Sequence, residues 1–342
     1  MTNTPHSKSQ AIPLVKREDV KYFVGLLGEY HEDFYSLLRQ AQIPNDLFNP
    51  NSQYEYLPET TLKNLIQILG SRMKIDDFAR LISDSCRLIY VPKFVSLLTT
   101  DESLQATLNE FSQLLKSTSS NALVYTQEAG EKVWLVRDKE EADEIWFKYG
   151  EMFAVTFLCE LLTTLTQGAW LPEEIGVRTE SAYEFSRLPG LESTQFYCSR
   201  PTTAIHIPDD ILSQPVFLKQ TSNESTIPYE ILPGNFLDTF KLAIQPYVSM
   251  GKLPIKIASE ILNINVRTIQ RRLKEHNVIY SQVIEEMVFN QIIQLLKCDQ
   301  LPITEVASKM GYSDSAHFTR AFKRLMHMTP REYRSKFKNR IR

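Results

Sequence analysis

Apolar residues recur at intervals of three and four over residues 20–40 and again over 57–70, as at Leu62, Leu65, Ile66 and Leu69. Both stretches are therefore predicted as amphipathic helices. Pro44, Asn45, Asn49, Pro50 and Asn51 interrupt the period and predict a loop between them. Helical spacing returns over residues 76–89 and 103–116. It then gives way to two short runs rich in Val, Tyr and Trp, 122–126 and 132–137, divided by Gly130 as in an antiparallel hairpin. Residues 175–178, 193–197 and 203–207 read as further strands, with a helix over 143–167. The prediction for residues 15–218 is one mixed α+β domain.

Residues 219–234 are polar, with two prolines and a glycine, and carry no apolar period, which marks a linker. Every later segment has helical spacing: 235–250, 255–262, 266–275, 281–297, 303–310, 315–325 and a last piece from Pro330. The fold class expected is thus a mixed α+β N-terminal domain followed by an all-α C-terminal domain, residues 235–336.

The C-terminal part repeats itself at 48 residues: Ser259 falls on Ala307, Asn263 on Gly311 and Asn265 on Ser313. Each copy reads as helix, turn, helix. A small residue lets the helices cross closely, Asn or Gly tolerates the positive φ of the turn, and Asn265 or Ser313 is placed to cap the second helix. Those second helices are rich in DNA-facing groups: Arg267, Thr268, Gln270, Arg271, Arg272 and Lys274 in one, Ser315, His317, Thr319, Arg320, Lys323 and Arg324 in the other. Arg267, Gln270 and Arg271 share one helical face, while Ile269 and Leu273 share the opposite one.

The charge distribution sharpens this picture. The net charge is only −3, yet residues 1–234 hold 20 Lys+Arg against 32 Asp+Glu, and residues 235–342 hold 18 against 9. The halves carry −12 and +9, and the positive surplus is what a phosphate-binding module needs.

The segments VRTIQRRL, ITEVASKMGYSDSAHFTRAFKR and MTPREYR resemble the signature of AraC/XylS-type transcription regulators. That resemblance implies two helix-turn-helix units, at about 255–276 and 303–326, on either side of a long linker helix over 281–297. It implies base contacts from Arg267, Gln270 and Arg271 in the first unit and from Ser315, Ala316, His317 and Arg320 in the second; Lys274 and Lys323 on the same helices read beside them as further DNA contacts, Lys323 to phosphate. Tyr333 and Arg334 would close the fold. Asn263, Asn277 and His327 stand where the family usually has Gly, Val288 where it has Arg, and Ile292 where it has Ala. More loosely, residues 15–218 resemble an arabinose-binding-like effector branch. The partners implied are double-stranded promoter DNA, RNA polymerase, a small-molecule effector and a second copy of the chain.

Other chemistries find little support. His6, His31, His206, His276 and His327 are isolated, so no metal is expected, and no GxSxG, GxGxxG or GxxxxGK[ST] occurs. Glu140, Glu141, Asp143 and Glu144 read as acids at a helix start. The apolar stretch 152–172 holds Glu160 and several threonines, which favours a buried helix over a membrane span. Scattered Cys86, Cys159, Cys198 and Cys298 and a polar N-terminus lead to an expected cytoplasmic, nucleoid-associated location without cofactor. The reading is a DNA-binding regulator, an activator under effector or dimer control, and not an enzyme. The alternative is a metabolite-binding protein or enzyme in the N-terminal half that the C-terminal domain tethers to DNA.

Overall fold

The computed structural model describes residues 11–28, 34–50, 52–118, 122–139, 144–218, 232–248, 253–297 and 301–341. Most of the predicted linker, 219–231, and the acids Glu140, Glu141 and Asp143 lie outside them. The chain opens with β1 (Leu14–Lys16), α1 (Arg17–Gly28), α2 (Phe34–Gln40), β2 (Tyr56–Pro58), α3 (Glu59–Arg72) and α4 (Ile75–Ser85). A π-helical turn, Cys86–Tyr90, leads to α5 (Val91–Val95) and α6 (Leu104–Thr118). Then come β3 (Ala122–Ala129), β4 (Lys132–Lys139), α7 (Phe147–Leu165), β5 (Glu174–Gly176), β6 (Gln195–Tyr197), β7 (Thr203–Ile207) and α8 (Asp209–Leu212). The remainder is helical: α9 (Phe236–Val248), α10 (Ile255–Leu262), α11 (Val266–Glu275), α12 (Tyr280–Lys297), α13 (Ile303–Lys309), α14 (Ser315–Met326) and α15 (Pro330–Ile341).

An α+β region followed by an all-helical region is as expected, but packing divides the chain differently from a cut near residue 218. One unit joins Met1–Tyr22 and Gln42–Thr61 to Pro233–Arg342; the other comprises Phe23–Ala41 and Leu62–Leu232. The polarity survives the regrouping. The first unit holds 22 basic residues against 14 acidic, or +8, and the second 16 against 27, or −11.

In the acidic unit the strands form one sheet in the order β3-β4-β7-β5-β6. All pairings are antiparallel except β5 with β6, and the hairpin predicted around Gly130 is longer at both ends than its apolar runs suggested. The core row of the sheet runs through Leu135, Ile205 and Ile175, all buried. Helix α7 is fastened to the sheet by Glu151, fully buried, whose carboxylate accepts from the Thr203 hydroxyl at 2.6 Å and the Arg178 amide at 2.8 Å. Those bonds satisfy a charge that would otherwise be costly inside the core. The long helix predicted over 20–40 is instead α1 and α2, with residues 29–33 outside the described ones.

In the basic unit, β1 pairs antiparallel with β2, placing Val15 opposite Leu57, and α9 packs on both strands. The Ile12 amide donates to the Thr239 hydroxyl at 2.9 Å, and Tyr247 donates to the Gln42 carbonyl at 2.8 Å. Arg17 organises the loop between the strands. It is buried, and its guanidinium donates to the carbonyls of Leu47 (2.6 and 2.9 Å), Asn49 (2.6 Å) and Ser52 (3.1 Å) while lying 4.8 Å from the Tyr54 ring centre. The segment is a clasp on the first helices of the C-terminal region, and Thr60 extends it by donating to the Ile261 carbonyl at 2.6 Å.

Candidate nucleic-acid interface

The first helix-turn-helix is α10 and α11. Asn263 ends α10 with φ 51°, a left-handed residue, and the Ile264 amide returns to the Ser259 carbonyl at 3.1 Å. Asn265 caps α11 by accepting from the Arg267 amide at 2.9 Å. The second module, α13 and α14, repeats the turn 48 residues on: Gly311 has φ 73°, and the Tyr312 amide returns to the Ala307 carbonyl at 3.0 Å. These returning bonds satisfy carbonyls that a helix end leaves open. Replacing Asn263 with Val puts a β-branched residue into the left-handed region, and the expected loss is about 1–2 kcal/mol; an unchanged melting temperature would contradict it.

The cap of α14 corrects the expectation for Ser313. Asp314, one residue later, accepts from the His317 amide at 2.6 Å, and that bond holds its carboxyl below the usual range. The second turn is one residue longer, so the repeat becomes 49 within the second helices. Buried Phe318 and Phe322 then stand where Ile269 and Leu273 stand in α11. At the same offset Arg271 matches Arg320 and Lys274 matches Lys323.

Arg267, Gln270, Arg271 and Lys274 form an exposed stripe along α11, as their spacing predicted. Ala316, His317, Arg320 and Lys323 do the same on α14, whereas Ser315 is half-buried. Arg271 is held by Glu275 at 2.7 Å, an exposed pair that costs little to exchange for another acceptor. The His317 ring stands edge-on to Tyr312, with centroids 5.5 Å apart. Arg272 does not join the stripe: its guanidinium lies 5.2 Å from the Phe236 ring centre, half-buried against α9. Thr319 also turns inward, donating to the Ser315 carbonyl at 2.7 Å.

The linker helix α12 serves both modules. Val283 and Ile284 are buried near its start. Ile292 and Leu296 join Val306, Ala307, Met310, Phe318 and Phe322 in the second core, with Val288 packed at its edge. Ile292 and Val288 thus supply apolar bulk to that core. Tyr333 packs edge-on against Phe322, and Arg334 donates to the Leu296 carbonyl at 3.1 Å, closing the end of α12. Tyr280 begins the helix with its hydroxyl on the Leu253 carbonyl at 2.8 Å, and burial pushes that hydroxyl up to about 12. Among the described residues no group of His, Cys, Asp and Glu could hold a metal, and no helix is long and apolar enough to cross a membrane.

Residues 258–336 match the family described as "Helix-turn-helix domain". The chain is 30% identical over 87 residues to the porin thermoregulatory protein EnvY of Escherichia coli, covering 25% of this chain and 34% of that one. It is 32% identical over 85 residues to the ornithine utilization regulator of Pseudomonas aeruginosa, covering 25% of each. The match thus spans about a third or less of these relatives' lengths. Among solved structures, the transcriptional regulator CdpR from Pseudomonas aeruginosa aligns over 93% of this chain and 97% of its own, at 15% identity and a TM-score of 0.32.

Proposed function

We propose, from the premise that the C-terminal region of this chain is an AraC-type helix-turn-helix domain, that the protein is a sequence-specific DNA-binding transcription regulator. The observation that carries this reading is the pair of exposed stripes, Arg267, Gln270, Arg271, Lys274 and Ala316, His317, Arg320, Lys323, on two helices joined through α12 in a unit of net charge +8. Arg, Gln and His reach the donor and acceptor pattern of base edges in the major groove, while Lys neutralises phosphate. Ser315, at the start of α14, is the ninth residue of this interface. The regulator acts at promoters as an activator alongside RNA polymerase, in the cytoplasm, without catalysis of its own. The acidic unit controls it by binding a small-molecule effector or a second copy of the chain.

The test compares two substitutions on the DNA upstream of the protein's own coding sequence. Arg271→Ala is expected to cost about 1–3 kcal/mol on the specific site and much less on random DNA. Lys323→Ala is expected to weaken both about equally, since a phosphate contact carries no sequence information. Mobility shifts on the two DNAs decide it, and equal losses for Arg271→Ala would refute the base contact.

A further inference from the structure

The sheet of the acidic unit has one face packed in the core and an opposite face that is partly open, with Val136 and Gly176 buried on it and Ala204 and Tyr197 half-buried. Gln105 of α6 donates to Thr126, which lies opposite Leu135, so this helix sits on the face of Leu135, Ile205 and Ile175. The opposite face carries a continuous row read across the register: Tyr125, Val136, Ala204, Gly176 and Tyr197. Aromatic rings stand at its two ends with three small or β-branched residues between. Trp134 projects to the same side on the neighbouring row. A cavity of about 440 Å³ opens over this floor, lined by Trp134, Val136, Gly176, Tyr197, Arg200 and Ala204 among others, a size that suits a small molecule.

The charges at its rim are unequal. Glu174 is satisfied within the protein, by the Lys132 ammonium and by the Tyr197 hydroxyl at 2.9 Å. Arg200 has no carboxylate partner among the described residues, and its guanidinium lies 5.4 Å from the Tyr197 ring centre. Its place is fixed by the backbone: Ser199 has φ 55°, the Arg200 amide donates to the Val177 carbonyl at 2.9 Å, and the side-chain stem passes over Gly176, where a Cβ would come 3.4 Å from its Cγ. A unit of net charge −11 thus presents, over an aromatic-walled floor, a guanidinium with two donors free for a planar anion.

We propose that this open sheet face is the effector site, and that it takes a small organic carboxylate with a flat apolar body: the carboxylate on Arg200, the body on Val136, Gly176 and Ala204 between Trp134 and Tyr197. The inference rests on the effector-controlled reading above and deepens it. The test is calorimetric titration of the full chain with 3-phenylpropionate and with the uncharged 3-phenylpropanamide. The acid is expected to bind saturably at one site per chain, with the amide weaker by at least about tenfold, or 1.4 kcal/mol. Arg200→Gln should reduce binding of the acid to the level of the amide. Ala204→Leu fills the floor from the solvent side and should abolish binding with an unchanged melting temperature. Equal binding of acid and amide, acid binding untouched by Arg200→Gln, or no saturable binding because a second copy of the chain or another occupant covers the face, would each overturn the proposal. Mobility shifts of the unsubstituted chain separate the two readings: a chain that shifts DNA but binds no carboxylate sinks the cavity assignment alone, and one that binds the carboxylate but shifts no DNA sinks the regulator alone.

Discussion

A 5 bp insertion between the two half-sites is expected to lower affinity for the specific site by about 2–6 kcal/mol, the worth of two lost base contacts, and a 10 bp insertion is expected not to restore it. The reason lies in α12. Its 18 residues make a rod about 27 Å long at 1.5 Å per residue, and its sequence YSQVIEEMVFNQIIQLLK contains neither glycine nor proline to bend it. Both of its ends are locked, by Tyr280 on Leu253 and by Arg334 on Leu296. If, as proposed, the two helices on this strut both enter the major groove on one face, the segments they read lie about 34 Å, or one DNA turn, apart. Half a turn of extra DNA carries one half-site to the opposite face. A full turn returns the face and doubles the distance, which a rigid rod does not follow. Footprints and affinities on the three sites measure this, and recovery at 10 bp would mean that the modules are supplied by different chains.

Replacing Arg17 with Met is expected to destabilise the basic unit by about 3–5 kcal/mol, a large loss of the kind that follows when a buried polar network is broken. Four donor bonds to three carbonyls disappear together, and those carbonyls remain inside a loop closed around the missing group. Arg17→Lys is expected to recover little, because one ammonium does not reproduce a fork that spans Leu47, Asn49 and Ser52. Denaturant unfolding of the full chain measures both. A loss below about 1 kcal/mol for Arg17→Met would show that the loop from Gln42 to Thr61 is held by its apolar residues alone.

The helix-turn-helix pair was legible because two independent signals coincide in it: a 48-residue repeat, and residues that tolerate positive φ at Asn263 and Gly311. The clasp was not. Strands of three residues, Leu14–Lys16 and Tyr56–Pro58, are too short to show a period of two, and Arg17 looks like any residue at a helix start until its carbonyl partners thirty positions away are folded around it. Arg272 misled for a related reason. Helical spacing gives the angle of a side chain about its own axis, whereas the ring that captures Arg272 belongs to α9, and no pattern within α11 reports it. Ser313 and Asp314 are both competent caps. What selects Asp314 is the extra residue in the second turn, visible only in the shift from 48 to 49 between buried positions. The open face of the sheet was also hidden, since alternation along β4 and β7 shows that two faces exist but not which of them a helix covers.

The clasp has a consequence for the order in which the molecule is made. Ile12 and Thr239, joined by a hydrogen bond, are 227 positions apart. At about 5–20 residues per second on the ribosome, the first strand waits roughly 10–45 s for the helix that receives it. The acidic unit can complete its sheet in that interval, since every strand of it precedes Pro208. The clasp of the basic unit closes only when Ile12 and Thr239 are both available. A nascent chain that has not yet reached Phe236–Val248 therefore carries β1 and β2 without the helix on which they pack.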